Sequence, residues 1–280
     1  MRNESNRTGS SETLNQRGIE LANRGWLEEA LREFGRAIDL DRSSPFPRIN
    51  RASVYLEQGR SLDALEDLLT AVRLAPEDPT THYHLGVLLS QCGSALALGE
   101  LQTALNQDPE GLDILIQLAC TYADRGEYRE AEQMFKAALA LEPDDPFANH
   151  EYGIFLMDHG QIHEAIKRLK LALVSLPKEA EIETDLAMAF IQAGFYDQAM
   201  TILTTVLKRQ PDNLHAHYNL AAIHANRGEI DLALAQLHKA AAIDLKKVQN
   251  WLLDDSMFDG LRTHALFKEF LGNAIRRDIE

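Results

Sequence analysis

The chain has 280 residues, of which 43 are acidic and 28 are lysine or arginine, giving a formal net charge of −15 at pH 7. The basic residues are scattered, which argues against nucleic acid as a partner because phosphate binding needs clustered positive charge. Hydrophobic residues make up 45% of the chain, yet no apolar run approaches the roughly 20 residues that span a bilayer. With two cysteines and no signal-peptide core in residues 1–14, the composition predicts a soluble, cytoplasmic protein with reduced thiols.

The chain begins with a polar stretch, residues 1–10, which we expect to be disordered because it has too few apolar side chains to pack. Ser10 and Ser11 precede the first helical pattern. Both are candidate caps, since a serine hydroxyl can accept a hydrogen bond from a free amide at a helix start. The first helix is therefore predicted to begin near residue 11.

From this point a pattern of two helices joined at a glycine recurs along the chain. In residues 112–145, Leu115 and Leu118 lie at helical spacing, Gly126 follows, and a second helical pattern runs through Ala131. Helices this short bury too little apolar surface to be stable as an isolated pair. The pattern therefore predicts a stack of neighbouring pairs.

Four columns of residues repeat at steps of 33 or 34 residues. The turn glycines are Gly25, Gly59, Gly93, Gly126, Gly160, Gly194 and Gly228. Second-helix alanines follow at Ala30, Ala64, Ala97, Ala131, Ala165, Ala199 and Ala233. Small first-helix residues, expected to face those alanines, are Gly18, Ala52, Gly86, Ala119, Gly153, Ala187 and Ala221. Large second-helix residues are Phe34, Leu68, Leu101, Phe135, Leu169, Leu203 and Leu237. Glycine suits a sharp turn, and alanine suits the close approach of two helices.

The first repeats differ from the later ones at one position. Arg17 and Arg51 stand where later repeats have leucines such as Leu85 and Leu118. We expect the arginine stems to pack while their guanidinium groups reach water. A more polar end is typical of a terminal, capping repeat.

These columns resemble the tetratricopeptide repeat pattern over roughly residues 11–247. The resemblance implies an all-α, right-handed superhelix (solenoid) of helix-turn-helix repeats, with the first helices lining a concave face. Seven repeats are predicted, at residues 11–44, 45–78, 79–111, 112–145, 146–179, 180–213 and 214–247. Residues 248–280 are predicted to form C-terminal capping helices that cover the last repeat. A partner-binding tail is the alternative interpretation of this segment.

The sequence offers no sign of catalysis or of a cofactor. It contains no glycine-rich phosphate loop, HExxH motif, CxxC pair or nucleophile elbow. His215, His217 and His224 are the best candidate metal group, but no spacing identifies the further ligands that a tetrahedral site needs. We interpret them as core or groove histidines and predict that the protein is not an enzyme and holds neither metal nor cofactor.

The resemblance places the functional surface of the family in the concave groove. Transferred by register, the candidate peptide-binding residues are Asn50, Tyr83, His84, Gln117, Cys120, Asp124, His150, Glu151, Ile154, Asp158, Asp185, Tyr218 and Asn219. Acidic side chains concentrate in the middle of this set, and amides can bond a peptide backbone without demanding one sequence. The hypothesis is a bound protein or peptide segment that carries lysine or arginine. A solvated polar groove with no ligand is the alternative.

The carboxylate clamp of some family members, which grips chaperone C-termini, is not matched. Where it would place lysines, this chain has Ile49, Tyr83 and His150. We therefore predict a non-enzymatic interaction scaffold or adaptor. The alternatives are a self-assembling homo-oligomer and a recognition subunit for a separately encoded enzyme, such as a glycosyltransferase.

Overall fold

The computed structural model describes residues 10–93, 96–268 and 270. The regular structure of these residues is entirely helical. The helices are α1 (Ser11–Ala22), α2 (Leu27–Leu40), α3 (Phe46–Glu57), α4 (Ser61–Leu74), α5 (Pro79–Gln91), α6 (Ala97–Gln107), α7 (Leu112–Asp124), α8 (Tyr128–Leu141), α9 (Pro146–Asp158), α10 (Ile162–Ser175), α11 (Ala180–Gln192), α12 (Tyr196–Arg209), α13 (Leu214–Asn226) and α14 (Ile230–Asp254). A short 3-10 helix follows at Ser256–Leu261.

The chain divides into two compact units, Met1–Leu141 (unit 1) and Glu142–Glu280 (unit 2). In both units an odd-numbered first helix packs against the even-numbered second helix that follows it. First helices also contact the next first helix: α1 contacts α3 and α5 contacts α7 in unit 1, while α11 contacts both α9 and α13 in unit 2. In each unit, first helices of neighbouring repeats therefore lie side by side.

The turn glycines are required by the backbone. All seven have a positive φ, between +64° and +78°. At Gly59 nothing would obstruct an added Cβ, so the left-handed conformation, rather than a lack of space, explains the glycine. The next residue, Arg60, donates its amide to the Tyr55 carbonyl at 2.8 Å. This hydrogen bond closes the end of α3 and directs the chain into α4.

The three glycines of the small first-helix column lie directly against large second-helix side chains. A Cβ added at Gly86 would lie 2.6 Å from Leu101 Cγ, and one at Gly153 would lie 2.8 Å from the equivalent atom of Leu169. At Gly18 the nearest atom belongs to the Phe34 ring, at 2.5 Å. The small residues thus make room for the largest core side chains.

The helix starts follow capping rules. Ser10 accepts a hydrogen bond from the Thr13 amide and caps α1, as predicted. Ser11 is not a cap, since its hydroxyl donates to the Ala37 carbonyl of α2 at 2.9 Å. The rest of the segment expected to be disordered, residues 1–9, lies outside the described residues.

Arg51 behaves differently from the expectation that its guanidinium group would reach water. It makes two hydrogen bonds to Asp67 of α4, from Nε at 2.7 Å and from Nη2 at 2.8 Å. Asp67 is only 5% exposed, and a buried carboxylate needs such a partner because desolvation of an unpaired charge is costly. The second repeat therefore uses an ion pair where four of the later repeats have leucine.

The C-terminal segment folds back onto the last helix pair. Helix α14 is kinked at Asp244, whose backbone is non-helical and whose carboxylate accepts a hydrogen bond from the Lys247 amide at 2.9 Å. Beyond the kink, Phe258, Leu261 and Phe267 are buried in one apolar cluster with α13 and α14. Residues 271–280 of the predicted capping segment lie outside the described residues. None of the helices in the described part of the chain is long and apolar enough to cross a membrane.

Candidate peptide-binding surfaces

The candidate residues lie on first helices of both units. In unit 1, α3 carries Asn50, α5 carries Tyr83 and His84, and α7 carries Gln117, Cys120 and Asp124. In unit 2, α9 carries His150, Glu151, Ile154 and Asp158, α11 carries Asp185, and α13 carries Tyr218 and Asn219. The positions taken from the repeat register are thus all on first helices, but their surroundings differ.

In unit 1 an amide pair joins two repeats. Asn50 donates from Nδ2 to Asn15 Oδ1 at 2.9 Å, across the contact between α3 and α1. Gln117 and Cys120 are half-buried on α7, whereas Asp124 is exposed at the end of that helix. Asn50 can still offer its carbonyl oxygen to a ligand, because only its amide hydrogen is used in this bond.

Tyr83 and His84 lie together on α5. Their ring centroids are 5.2 Å apart and the rings are nearly perpendicular. Both side chains line a cleft of about 460 Å³, together with Asp108, Glu110 and Asp113. We call this the unit 1 cleft. Burial lowers the pKa of His84, and the negative charge of Asp113 only partly opposes this effect. His84 is therefore neutral at physiological pH.

In unit 2 a buried histidine is paired with an acid of the next repeat. His150 is 7% exposed, and its Nε2 lies 2.7 Å from Asp185 Oδ2. Burial alone would lower the pKa of His150, but the hydrogen bond and charge of Asp185 raise it above its ordinary value. The charges of Glu151 and Glu181 act in the same direction. The electrostatic potential at this point of α9 and α11 therefore favours a positive charge.

A second cleft, of about 320 Å³, lies beside this pair. We call it the unit 2 cleft, and its lining includes Glu179, Glu181, Thr184, Asp185, Asn213 and His215. Burial and the nearby Lys247 lower the pKa of His215, against the opposing charges of Asp185 and Glu181. Asn213 caps α13 by accepting a hydrogen bond from the Ala216 amide at 2.9 Å, so this amide oxygen is already in use. Three carboxylates, those of Glu179, Glu181 and Asp185, line the cleft.

Tyr218 and Asn219 are both buried, and the C-terminal segment covers Tyr218. Tyr218 is 7% exposed and Asn219 is 4% exposed. The Tyr218 ring packs against Trp251 at 4.9 Å and against Phe258 at 5.5 Å. Its hydroxyl donates to Asp255 Oδ2 at 2.9 Å, and burial together with that carboxylate raises the pKa of Tyr218. These two positions are therefore closed to a peptide in this structure.

The histidines considered as metal ligands have structural partners. Both ring nitrogens of His217 are hydrogen bonded, to Gln236 Oε1 at 2.7 Å and to the Pro211 carbonyl at 2.8 Å. His224 pairs with Glu229 at 2.5 Å. In the part of the chain that the structure describes, no group of three histidine, cysteine or acidic side chains is placed to hold a metal ion.

Sequence reasoning missed several acidic side chains. Asp113 in unit 1 and Glu179 in unit 2 line the two clefts, but neither was among the candidates. The repeat register could have pointed to these acids, because the two clefts occupy the same place in the repeat. His84 corresponds in register to Asp185, and Asp113 corresponds to His215. The same acid and histidine pair thus occurs twice in reversed order.

The sequence matches two protein-family models, both described as tetratricopeptide repeat. One matches residues 15–79, 49–107 and 184–245, and the other matches residues 94–149 and 122–189. These matches cover most of the chain. The protein belongs to the tetratricopeptide repeat family, and its all-α fold is that of stacked tetratricopeptide helix pairs.

Known proteins similar to the chain differ widely in size. DnaJ homolog subfamily C member 3 of Gallus gallus is 26% identical over 229 residues, which cover 81% of this chain and 41% of that protein. The chain thus spans less than half the length of this curated relative. A tetratricopeptide repeat protein from Parabacteroides merdae aligns with a TM-score of 0.63 at 20% identity, over 95% of this chain and 98% of that one. A monomeric IFIT1 mutant solved with m7Gppp-AAAA aligns with a TM-score of 0.78 at 20% identity, over 97% of this chain and 69% of that one. At these identities the two structures show the fold alone.

Proposed function

We propose that this protein is a non-enzymatic interaction module whose unit 2 binds a lysine- or arginine-containing segment of a partner protein. Tetratricopeptide repeat proteins generally mediate protein–protein interactions, so the class of function follows from the family. The choice of a basic ligand rests on His150. A buried histidine whose pKa is nevertheless raised reports a potential that favours positive charge.

Several carboxylates contribute to that potential. Glu151 lies on α9, Asp185 and Glu181 lie on α11, and Glu179 precedes α11 at the edge of the unit 2 cleft. Glu179 and Glu181 are exposed, so they keep contact with water and can exchange it for a lysine or arginine group at low desolvation cost. Asp158 is exposed at the end of α9 and extends the acidic surface. Ile154, on the same helix, offers an apolar contact for the stem of a basic side chain.

Unit 1 supports the same kind of ligand through different groups. Asn50 and Gln117 can accept or donate hydrogen bonds to an extended backbone, and Asp124 adds an exposed negative charge. Such amides hold a peptide without specifying its sequence, while the acids select its charge. The proposed partner is therefore recognised by its backbone and by its basic side chains together.

The proposal is tested with two charge-matched triple variants. The first, Glu151→Gln, Glu181→Gln and Asp185→Asn, removes three charges at the proposed site. The control, Asp212→Asn, Asp231→Asn and Asp254→Asn, removes three exposed unit 2 charges that do not line the unit 2 cleft. Thermal unfolding would first establish that both variants fold.

Fluorescence anisotropy would measure the binding of a labelled glycine-rich peptide with four arginines, and of the same peptide with neutral citrulline in their place. We expect the first variant to bind the arginine peptide several-fold more weakly than wild type, and the control to stay within about twofold, because exposed ion pairs typically contribute about 0.2–1 kcal/mol each and the carboxylates of unit 1 remain in both variants. Equal losses in both variants, or equal binding of the citrulline peptide, would refute the proposed site.

A further inference from the structure

The unit 1 cleft is built from three parts of the chain. Tyr83 and His84 come from α5, Asp113 comes from α7, and Asp108 and Glu110 come from the segment between α6 and α7. Its volume of about 460 Å³ falls in the range of about 300–1,000 Å³ that is usual for ligand sites. None of the described residues that line it is a lysine or arginine.

The carboxylates of this cleft are available to a ligand. Among the described residues, Asp108, Glu110 and Asp113 have no ion-pair partner. Gly111 also lines the cleft and has no room for a side chain. A Cβ at this glycine would lie 2.6 Å from Ile114 Cδ1 and 3.1 Å from Asp108 Oδ2. Because Gly111 has an ordinary negative φ of −67°, this lack of space, and not the backbone conformation, explains the glycine.

The two rings of the cleft leave these negative charges uncompensated. Burial lowers the pKa of His84, so this ring does not supply a positive charge at neutral pH. Burial and the charge of Asp113 raise the pKa of Tyr83, so its ring stays a neutral phenol. The cleft therefore combines an aromatic wall with three acidic groups.

We propose that the unit 1 cleft binds the guanidinium group of an arginine side chain from a partner protein. A guanidinium is planar and can stack on the Tyr83 ring while its N–H groups donate to Asp113 and Glu110. An ammonium group is compact and strongly hydrated, so it gains less from an aromatic wall. The arrangement of ring and carboxylates thus favours arginine over lysine.

The inference rests on the proposed function in that the ligand is a basic segment of a partner, but it assigns a separate site in unit 1. The unit 1 cleft has the same place in the repeat register as the unit 2 cleft, with His84 and Asp113 in place of Asp185 and His215. The unit 2 cleft has Thr184 where unit 1 has Tyr83. Stacking, and hence arginine selectivity, is therefore a property of the unit 1 cleft.

The test uses the whole chain and N-acetyl-L-argininamide as the probe, with NMR signals of the Tyr83 and His84 rings as the readout. We expect saturable shifts of both rings, at least a several-fold weaker response to N-acetyl-L-lysinamide, and no response to the citrulline analogue. Glu110→Gln combined with Asp113→Asn removes two exposed acids and should weaken the arginine response at least tenfold. The control Glu57→Gln removes an exposed charge of unit 1 that does not line the cleft and should leave the response unchanged.

Two further variants separate stacking from charge and unit 1 from unit 2. Tyr83→Phe should keep the His84 response and Tyr83→Leu should lose most of it. Asp185→Asn should change the response of the His150 ring to the arginine probe and leave the response of the His84 ring unchanged. The two rings thus report on the two clefts separately, so failure of the unit 2 site is distinguished from failure of the unit 1 site. Equal responses to the arginine and lysine probes, silent Tyr83 and His84 rings, or a response unaffected by the double variant would overturn the inference.

Discussion

Asp185 raises the pKa of His150, whereas burial of the ring acts in the opposite direction. The hydrogen bond between His150 and Asp185 crosses from one repeat to the next. Because the pKa of His150 is raised on folding, protonation of this ring stabilises the folded state. The contribution is fully present below the unfolded pKa, about 6.5, and is lost as the pH rises through the folded pKa.

Replacing Asp185 by asparagine should reverse this behaviour. In Asp185→Asn the effect of burial dominates, so we expect the pKa of His150 to fall below that of wild type, as measured by NMR of the ring. The difference in unfolding free energy between wild type and variant should be largest near about pH 5.5 and should shrink as the pH rises. Asp158→Asn, which removes an exposed charge on α9, is the matched control. A difference in unfolding free energy between wild type and Asp185→Asn that widens as the pH rises would contradict a stabilising pair of protonated His150 and Asp185.

At the scale of the helix, two glycines separate the effect of crowding in the core from the effect of helix propensity. Gly86 of α5 and Gly99 of α6 both lie within helices of unit 1. An added Cβ at Gly86 would lie 2.6 Å from Leu101 Cγ, whereas none of the neighbouring atoms would obstruct one at Gly99. The same substitution should therefore have opposite effects at the two positions.

Gly99→Ala should stabilise the chain by about 0.5–1 kcal/mol, because alanine is the better helix former. Gly86→Ala gains the same propensity but overpacks Leu101, which costs about 1–3 kcal/mol, so we expect a net loss of stability. Urea denaturation of the two variants measures both effects. Stabilisation by Gly86→Ala would show that the first helix can move away from the second at no cost.

The helix pairs could be predicted from sequence because the turn glycines and the alanines recur with a constant register. The close approach of Gly86 to Leu101 could not be predicted, since periodicity gives the face of a residue and not the length of the side chain opposite. The ion pair of Arg51 could not be predicted either. Its partner, Asp67, lies on another helix, and no fixed sequence spacing relates the two residues.

The candidate site shows the same limit. Register placed Tyr218 on a first helix correctly, but a segment without a repeat covers it, and no period predicts where such a segment packs. Asp113 escaped notice because its role depends on Tyr83 and His84 of the preceding repeat. Pairs that join two repeats can be found only after equivalent positions are compared between repeats.

At the scale of the whole molecule, the net charge of −15 should make salt act in two opposite directions. A chain with this excess of acids destabilises itself by repulsion, and added ions screen that repulsion. The same ions screen the attraction between the acidic surfaces and a basic peptide. Raising sodium chloride from about 20 to about 300 mM shortens the Debye length from about 20 Å to about 6 Å.

We therefore expect the melting temperature to rise over this range while the affinity for the four-arginine peptide falls. The citrulline peptide is the control, since it carries no charge on its side chains and its weak binding should not change. Calorimetry of the free chain and anisotropy of the labelled peptides measure the two effects on the same sample. Affinity for the arginine peptide that does not depend on salt would mean that apolar contacts, and not the carboxylates around His150, hold the ligand.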